Sequence, residues 1–426
     1  MSCSITLREV AEFQKGFAFK SKDYTSDGVK IIKVSNLTDD SVDTSQCVCV
    51  ENDIADKYKD KYNLKTNDIV ITTVGSWPTN PASVVGKVIR VPKYADNTLL
   101  NQNAVRLRSN SLINQNYMYY LLKDKSFKEY IVGTAQGSAN QASITQEDIK
   151  NFEFILPSLE EQEKIANILS SLDDKIELNN EMNKTLEEMA QSIFKRWFVD
   201  FEFPNEDDQP YKSSGGEMVE SELGMIPKGW EVKTIGDLCE VGSSKRIFMK
   251  EYVEEGIPFF RGKEVIQKSK GENISTELFI TKERYKEIKD KFGVPSKNDI
   301  LLTSVGTLGI PYLVDDEEFY FKDGNLTWFK NFNEEIFRYY VYQWLLSSEG
   351  KKSIDEVTIG STQKALTINA LKSMKLVIPS KNTLNKYQGF ISSNIENIRE
   401  NNVQKFNLID LRDSLLPKLM SGVLKL

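Results

Sequence analysis

The sequence of 426 residues contains no histidine. This absence excludes Ser-His-Asp and Cys-His nucleophile systems, the His-x-Glu deaminase pattern, and every histidine-ligated zinc or iron site. The four cysteines lack the paired Cys-x-x-Cys spacing of a structural zinc site and do not suggest a disulfide framework; they are Cys3, Cys47, Cys49 and Cys239. We therefore expect no metal and no cofactor, and this cysteine usage suits a reducing cytoplasm.

Long apolar runs are also absent. No stretch is long enough to cross a bilayer and no charged-then-apolar leader is present, which predicts a cytoplasmic protein that does not bind membranes. The net charge of -7 by itself argues against a nucleic-acid binder. However, residues 1–156 hold 19 basic and 18 acidic residues, and residues 227–379 hold 23 of each. Since the acidity lies between these near-neutral blocks, charge does not exclude DNA contact by either of them.

Two halves of the chain repeat each other at an offset of 222 to 231 residues. Asn67–Ser76 matches Asn298–Thr307, and Ile155–Ser158 matches Val377–Ser380. A Gly-Ser pair precedes a glutamine in both halves, as Gly137, Ser138 and Gln141 and then as Gly360, Ser361 and Gln363. The order of the matches is the same in both halves, so chance similarity does not explain them.

Short β runs separated by turn residues open each half. In the first half they are Lys30–Val34, Ile69–Val74, Val84–Val91 and Ala104–Leu107. One amphipathic helix interrupts them over Tyr117–Val132, and its counterpart lies near Ile336–Ile354. The pattern predicts a mixed α/β domain in each half.

A long helix is predicted after each of these domains. The first starts at the N-cap Ser158 and contains no Gly or Pro before Pro204. Its apolar positions alternate by four and three, which is typical of a coiled coil. The predicted helix–helix seam comprises Ile165, Leu169, Leu172, Ile176, Leu186, Ile193, Ile391, Ile398, Leu408 and Leu415. The simplest partner of each helix is the other one, although a dimerisation helix in a homo-oligomer fits the same pattern.

Several motifs carry a resemblance to a known family. They are Ile155–Ile165, the run Leu223–Trp230 that opens the second domain, the paired Gly-Ser and Gln loops, and the closing run Leu411–Gly422. With these motifs in this order, the chain resembles the specificity subunit of type I restriction-modification systems over nearly its entire length.

The resemblance implies an α+β fold. Two mixed α/β target-recognition domains, residues 1–157 and 228–379, are separated by two long helices, residues 158–203 and 380–426, packed as an antiparallel coiled coil with a pseudo-twofold internal repeat. Residues 204–227 are expected to form a linker, because they are acidic and rich in turn formers.

The resemblance also implies the function and the partners. Each domain is expected to bind one half of a bipartite, asymmetric site in double-stranded DNA. The paired helices are expected to set the half-site spacing and to dock two modification (methyltransferase) subunits, to which restriction subunits attach. The chain itself is expected to be non-catalytic.

Candidate DNA contacts combine hydroxyl, amide and basic side chains with glycine-rich turns. They are Lys33, Ser35, Asn36, Thr72, Thr73, Ser76, Gly137, Ser138, Gln141, Arg261, Lys263, Thr303, Ser304, Thr307, Gly360, Ser361, Gln363 and Lys364. A tight strand-end turn or a solvated basic edge explains any single one of them as well. Two other functions stay open from the residues alone: a nuclease or methyltransferase using carboxylates, and a scaffold whose coiled coil binds only proteins.

Overall fold

The computed structural model describes residues 4–38, 41–77, 85–138, 141–274, 276–360 and 364–426. The chain divides into two compact units. Unit 1 comprises residues 1–176 and 407–426, and unit 2 comprises residues 177–406. Each unit therefore contains one predicted recognition domain together with part of each long helix.

Unit 1 contains twelve of the named strands within the described residues: β1 Ser4–Thr6, β2 Ala11–Lys15, β3 Val29–Ile32, β4 Val48–Val50, β5 Ile69–Thr72, β6 Val74–Gly75, β7 Val88–Arg90, β8 Leu99–Leu100, β9 Ala104–Ser109, β10 Gln136–Ser138, β11 Gln141–Ser143 and β12 Glu153–Ile155. Its helices are α1 Leu7–Val10, α2 Asn52–Tyr62, α3 Gln115–Lys123, α4 Lys125–Thr134, α5 Gln146–Lys150 and the first part of α6 Leu159–Phe194.

Unit 2 contains the second set of named strands: β13 Met218–Ser221, β14 Gly224–Pro227, β15 Glu231–Thr234, β16 Glu240–Gly242, β17 Tyr252–Val253, β18 Ile257–Phe260, β19 Phe279–Ile280, β20 Ile300–Thr303, β21 Pro311–Leu313, β22 Tyr320–Phe321, β23 Leu326–Lys330 and β24 Lys375–Ile378. Its helices are α7 Ile235–Leu238, α8 Gly262–Ser269, α9 Lys282–Phe292, α10 Ile336–Leu346, α11 Ser348–Val357, α12 Ile368–Lys372 and most of α13 Lys381–Met420.

The central sheets of the two units have the same strand order and register. The orders are β2-β9-β5-β7 in unit 1 and β16-β23-β20-β21 in unit 2. Ile69 opposes Leu107 in the first sheet, and Ile300 opposes Phe329 in the second. The central strands β5 and β20 are buried along their whole length, which explains why both are runs of apolar residues ending in threonine. The sequence repeat is therefore also a structural repeat.

The single amphipathic helix predicted in each half is wrong in one respect: each is two helices. Asp124 separates α3 from α4, and its carboxylate accepts a hydrogen bond from the Ser126 N–H at 2.9 Å. Ser347 separates α10 from α11 in the same way, and its hydroxyl accepts from the Gly350 N–H at 3.2 Å. Both residues have extended backbone, because an N-cap residue that satisfies the next helix leaves helical geometry itself.

The two long helices match the prediction closely. Helix α6 starts one residue after the predicted cap Ser158 and continues into a π-helical turn over Lys195–Val199, while α13 ends at Met420. All ten predicted seam residues are buried or half-buried. In unit 2, Asn183 contacts Asn402 and Trp197 packs on Tyr387, so α6 and α13 run antiparallel there. Four glutamates of α6 are exposed: Glu177, Glu181, Glu187 and Glu188.

The predicted linker is partly an ordered hairpin. Strands β13 and β14 pair from Met218 with Pro227 to Ser221 with Gly224. Before the hairpin, the Phe203 ring stacks on Tyr211 with ring centroids 4.6 Å apart and on Trp230 at 4.8 Å. The turn-forming residues of this segment led to the prediction of a loop. Its ordering was missed because the three aromatic side chains that contact each other are far apart in the sequence.

Candidate nucleic-acid interface

Two predicted loops of unit 1 are brought together in one small sheet. Strand β6 pairs with β11, which pairs with β10, so the loop after β5 lies beside the Gly-Ser loop. The Ile144 N–H donates to the Thr73 carbonyl at 2.9 Å. The Trp77 indole N–H donates to the Ser138 carbonyl at 2.8 Å. The sequence did not show that segments about 65 residues apart form one surface.

The same arrangement occurs in unit 2. Ala365 bridges to both Val305 and Ile359, so the loop after β20 lies beside the second Gly-Ser loop. The Leu366 N–H donates to the Ser304 carbonyl at 3.0 Å, which is the counterpart of the Ile144 to Thr73 bond. Each unit therefore builds the same paired-loop surface from equivalent positions.

Glycine is required where these loop strands approach closely. A Cβ at Gly137 would lie 2.0 Å from the Gln141 carbonyl oxygen, a distance that excludes any side chain. In unit 2, Gly306 and Gly360 have φ of 81° and 94°, in the left-handed region that favours glycine. The glycines therefore shape the loops, and neighbouring side chains are left to make contacts.

Five predicted contact residues of the paired loops are buried; they are Thr72, Thr73, Ser76, Thr303 and Ser304. The Thr72 hydroxyl accepts from the Lys87 N–H at 2.9 Å, and that of Thr303 accepts from the Ile310 N–H at 2.9 Å. The Ser304 hydroxyl shares a hydrogen bond of 2.7 Å with Thr327. These residues stay predictions as DNA contacts, and in this structure the hydroxyls of Thr72, Thr303 and Ser304 are bonded within their own unit.

The remaining predicted residues of the paired loops are exposed where they are described. They are Gly137, Ser138, Gln141, Thr307, Gly360 and Lys364. Ser361 and Gln363 lie outside the described residues. The exposed side chains and backbone groups are the ones available to a ligand.

The third predicted surface is a pair of equivalent turns after β3 and β18. In unit 1, the Asn36 side chain accepts from the Lys33 N–H at 3.0 Å and is buried. In unit 2, the buried Glu264 accepts from the Arg261 N–H at 2.8 Å and from its guanidinium at 2.6 Å. This side-chain hydrogen bond raises the pKa of Arg261. The buried side chains of Asn36 and Glu264 therefore each stabilise their own turn.

Exposure differs among the other residues of these turns. Ser35 and Lys263 are exposed, and Lys33 and Arg261 are half-buried. The Lys33 ammonium lies 4.2 Å from the centre of the Tyr24 ring. Ser35 and Lys263 are therefore the members most accessible to a ligand.

Short turns connect the third surface to the paired loops. In unit 1, the backbone N–H of Asn101 donates to the Ile32 carbonyl at 3.0 Å, and that of Thr73 donates to the Asn103 carbonyl at 2.8 Å. In unit 2, the backbone N–H of Lys322 donates to the Phe260 carbonyl at 2.9 Å, and that of Ser304 donates to the Asn325 carbonyl at 2.8 Å. Backbone hydrogen bonds therefore join the candidate segments of each unit.

The connecting turns contain two exposed residues that the sequence analysis missed, Gln102 and Lys322. Each lies in the loop that precedes a central strand. Gln102 immediately precedes Asn103, and Lys322 lies three residues before Asn325, the residue that aligns with Asn103 at the 222-residue offset of the repeat.

Two absences apply to the described ranges only. No group of three or more Cys, Asp or Glu side chains is placed to hold a metal ion there. No helix in the same ranges is both long and apolar enough to span a bilayer.

Comparison with known proteins gives a consistent result. A family model described as "type I restriction modification DNA specificity domain" matches residues 4–188 and 227–407. The type I restriction enzyme MjaIX specificity subunit of Methanocaldococcus jannaschii is 33% identical over 315 residues, 72% of this chain and 69% of that one. The HindI specificity subunit of Haemophilus influenzae is 24% identical over 415 residues, 85% and 87% of the two chains.

A solved structure has the same fold. The crystal structure of a type I restriction-modification S subunit from M. genitalium matches with a TM-score of 0.53 and 18% identity, covering 99% of this chain and 96% of that one. The predicted fold class, two α/β domains with long helices, is confirmed.

Proposed function

The chain belongs to the family of type I restriction-modification specificity subunits, which recognise DNA and are not the enzymatic subunits, and from this premise we propose how it selects its DNA site. Each unit binds one half of a bipartite, asymmetric site in double-stranded DNA through its paired loops and the adjoining turn. One observation carries the proposal: the same loop surface is built twice, by Ile144 on Thr73 and by Leu366 on Ser304, with different exposed side chains.

Different exposed side chains on one scaffold are what an asymmetric site requires. Gln141, Ser138 and Gln102 of unit 1 offer amide and hydroxyl groups, which form hydrogen bonds with base edges. Lys322, Lys364 and Lys263 of unit 2 offer ammonium groups, which bind phosphates or guanine. Because the backbones of the two loop surfaces are equivalent, both domains would dock on DNA in the same way. Because their exposed side chains differ, the two domains would prefer different base sequences.

We assign the spacer role to helices α6 and α13. The 36 residues of α6 rise by about 54 Å. This length exceeds one turn of DNA, roughly 34 Å, so helices of this size suit half-sites separated by unread base pairs. The helices are held antiparallel within unit 2 by Asn183 and Asn402, and within unit 1 by Asp173 and Arg412.

The same helices would dock two methyltransferase subunits, through which restriction subunits join the complex. Support comes from apolar side chains of α6 that lie outside the seam and are exposed: Ile168, Leu178, Met182 and Met189. Exposed apolar groups on a helix are typical of a protein contact. The exposed Glu181 and Glu188 on the same helix disfavour DNA at this face, since they repel phosphate.

A heptad insertion tests the spacer role. Seven residues are inserted after Ile176 in α6 and seven after Phe406 in α13, which leaves every contact within each unit unchanged. The added rise is about 10 Å, so the unprotected gap between two footprints should lengthen by up to about three base pairs. Sequencing of selected DNA should return the same two half-sites as the parent chain.

The matched control inserts seven residues in the loop after Gln209, outside both long helices. It should leave the gap unchanged. An unchanged gap in the helix-insertion variant would contradict the spacer role. A single footprint, or none, would contradict bipartite recognition, and turnover of S-adenosylmethionine by the purified chain would contradict the non-enzymatic assignment.

A further inference from the structure

The paired-loop surfaces contain one outward-facing row of three residues that differs in chemistry between the units. In unit 1, Ser143 opposes both Gln136 and Val74. In unit 2, Ala365 opposes both Ile359 and Val305. The backbone bond that follows each row, from Ile144 or Leu366, is equivalent in the two units, so the rows are in the same register.

Burial shows which way the rows face. Ala142 and Ile144, on either side of Ser143, are buried, while Ser143 and Gln136 are exposed. Because successive side chains of a strand point to opposite faces, Ser143 and the residues opposite it point outward. In unit 2, Leu366 is buried, whereas Ile359 and Val305 are 54% and 42% exposed.

We propose that the apolar row Val305, Ala365 and Ile359 makes the second domain select thymine, through contact with the C5-methyl group in the major groove. This inference rests on the proposed function and adds the chemistry of one half-site. Apolar side chains distinguish thymine by its methyl group, whereas a phosphate offers them nothing. The equivalent row of the first domain ends in the amide of Gln136, which forms hydrogen bonds with adenine instead.

The spacing of the row suits base pairs. Neighbouring strands lie about 4.8 Å apart, so the Val305 and Ile359 side chains are about 10 Å apart across Ala365. That distance corresponds to about three base-pair steps. The small Ala365 side chain between them leaves room for the edge of a base pair. Exposed Lys364 and Thr307 flank the row with groups suited to phosphates, which favours DNA over an apolar protein partner.

Deoxyuridine tests the proposal because its base, uracil, differs from thymine only by the C5-methyl group. The full chain, co-expressed with its proposed methyltransferase subunits, selects its site from a random duplex library. Each thymine of the selected half-sites is then replaced singly by deoxyuridine, and binding is measured. We expect about fourfold weaker binding for each methyl group contacted in the second half-site.

The variant Ile359→Gln introduces the first domain's residue at this position. It should abolish the preference for thymine over deoxyuridine at the base pair that Ile359 contacts and leave the first half-site unchanged. Gln136→Ala is the matched variant; it should change base preference only in the first half-site, which also shows which half-site each domain binds. Both side chains are exposed, so folding is retained.

Three results would overturn the inference while leaving the proposed function intact. They are a second half-site without thymine, equal binding of thymine and deoxyuridine there, and an Ile359→Gln variant that loses methyltransferase subunits but keeps its base preference. A chain that selects no bipartite sequence would overturn the proposed function itself.

Discussion

In unit 1 the long helices are joined by charged groups, whereas in unit 2 they are joined by aromatic rings. Asp173 of α6 receives hydrogen bonds from Arg412 of α13 at 2.8 Å and from Tyr120 at 2.6 Å, and Arg90 lies 3.4 Å away. By the sequence repeat, the positions equivalent to Asp173 and Arg412 are Ile395 and Ala190. Both are buried in the apolar core of unit 2.

The aromatic cluster of unit 2 surrounds Phe198, just beyond α6. Its ring centroid lies 4.8 Å from that of Tyr387 on α13 and 5.0 Å from that of Tyr340, both edge-to-face. The comparison teaches that the helix–helix seam fixes which positions are buried and does not fix which types of side chain occupy them. A half-buried ion pair and a cluster of rings each satisfy the same antiparallel register, because each fills the space between the two helices.

The largest expected effect comes from removing the central ring of unit 2. Phe198→Ala should lower the free energy of unfolding of unit 2 by about 3–5 kcal/mol, because it removes transfer free energy and leaves a cavity. Pulsed alkylation with peptide mapping measures this, since Cys239 is buried in unit 2 and Cys49 is buried in unit 1. Burial raises the pKa of Cys239 to about 12, so its thiol reacts only after opening.

Phe390→Ala is the control for that variant. Phe390 also touches an aromatic ring, Trp197 at 5.9 Å, but it is 56% exposed. It should change stability by no more than about 1 kcal/mol. If Phe198→Ala accelerated the labelling of Cys49 as much as that of Cys239, the two units would unfold together and the local contrast would be wrong.

The corresponding change in unit 1 is Asp173→Asn. It keeps the side-chain size but removes the negative charge that faces Arg90 and Arg412, all three of which are less than 20% exposed. The expected loss is about 2–4 kcal/mol, seen as faster labelling of Cys49 than of Cys239. Glu188→Gln on the exposed face of α6 should cost less than about 0.5 kcal/mol. Equal effects of the two variants would show that the charged network contributes nothing.

One pair of equivalent carboxylates has different partners in the two units. Asp68 of unit 1 binds Arg108 through two hydrogen bonds of 2.6 and 2.8 Å, whereas Asp299 of unit 2 accepts from the Trp328 indole at 2.9 Å. Asp68→Asn should lower stability by about 1–3 kcal/mol, since it leaves the Arg108 guanidinium without its carboxylate. Urea unfolding of Asp68→Asn, of Arg108→Gln and of the double mutant measures it, and single-mutant losses that simply add in the double mutant would contradict the pairing.

The smallest effect is a pH dependence at Asp299. Burial raises the pKa of Asp299, so the folded unit holds this proton at higher pH than the unfolded chain does. Its contribution to stability is therefore largest below the ordinary pKa of 3.8 and falls as pH rises through the raised folded value. The stability of Asp299→Asn relative to the parent chain should increase between pH 4 and pH 7. A decrease over this range, measured by urea unfolding, would contradict the assigned direction.

Sequence reasoning predicted those features that depend on local spacing. The alternation of Ile165, Leu169 and Leu172 identified the seam, because heptad periodicity alone decides which helix face is apolar. The same reasoning missed the breaks at Asp124 and Ser347. Asp124 and Ser347 are single polar residues in an otherwise helical pattern. Only their extended backbone conformation shows that each caps a second helix.

The candidate interface was predicted as separate segments and not as a surface. Thr72 and Thr303 were predicted as candidate DNA contacts; both are buried, and their hydroxyls accept from the Lys87 and Ile310 N–H groups. Gln102 and Lys322 were missed because their place beside the loops depends on strand pairing between distant segments.

From its sequence alone, this protein was determined to be a duplicated chain of two α/β domains and two amphipathic helices, since repeats and periodicity are properties of residue order. Only the tertiary structure decided which hydroxyls are buried, which loops pair, and that Ile359 and Val305 share an exposed row. The physical reason is that exposure and strand register arise from contacts between segments about 60 residues apart, and no local pattern specifies those contacts.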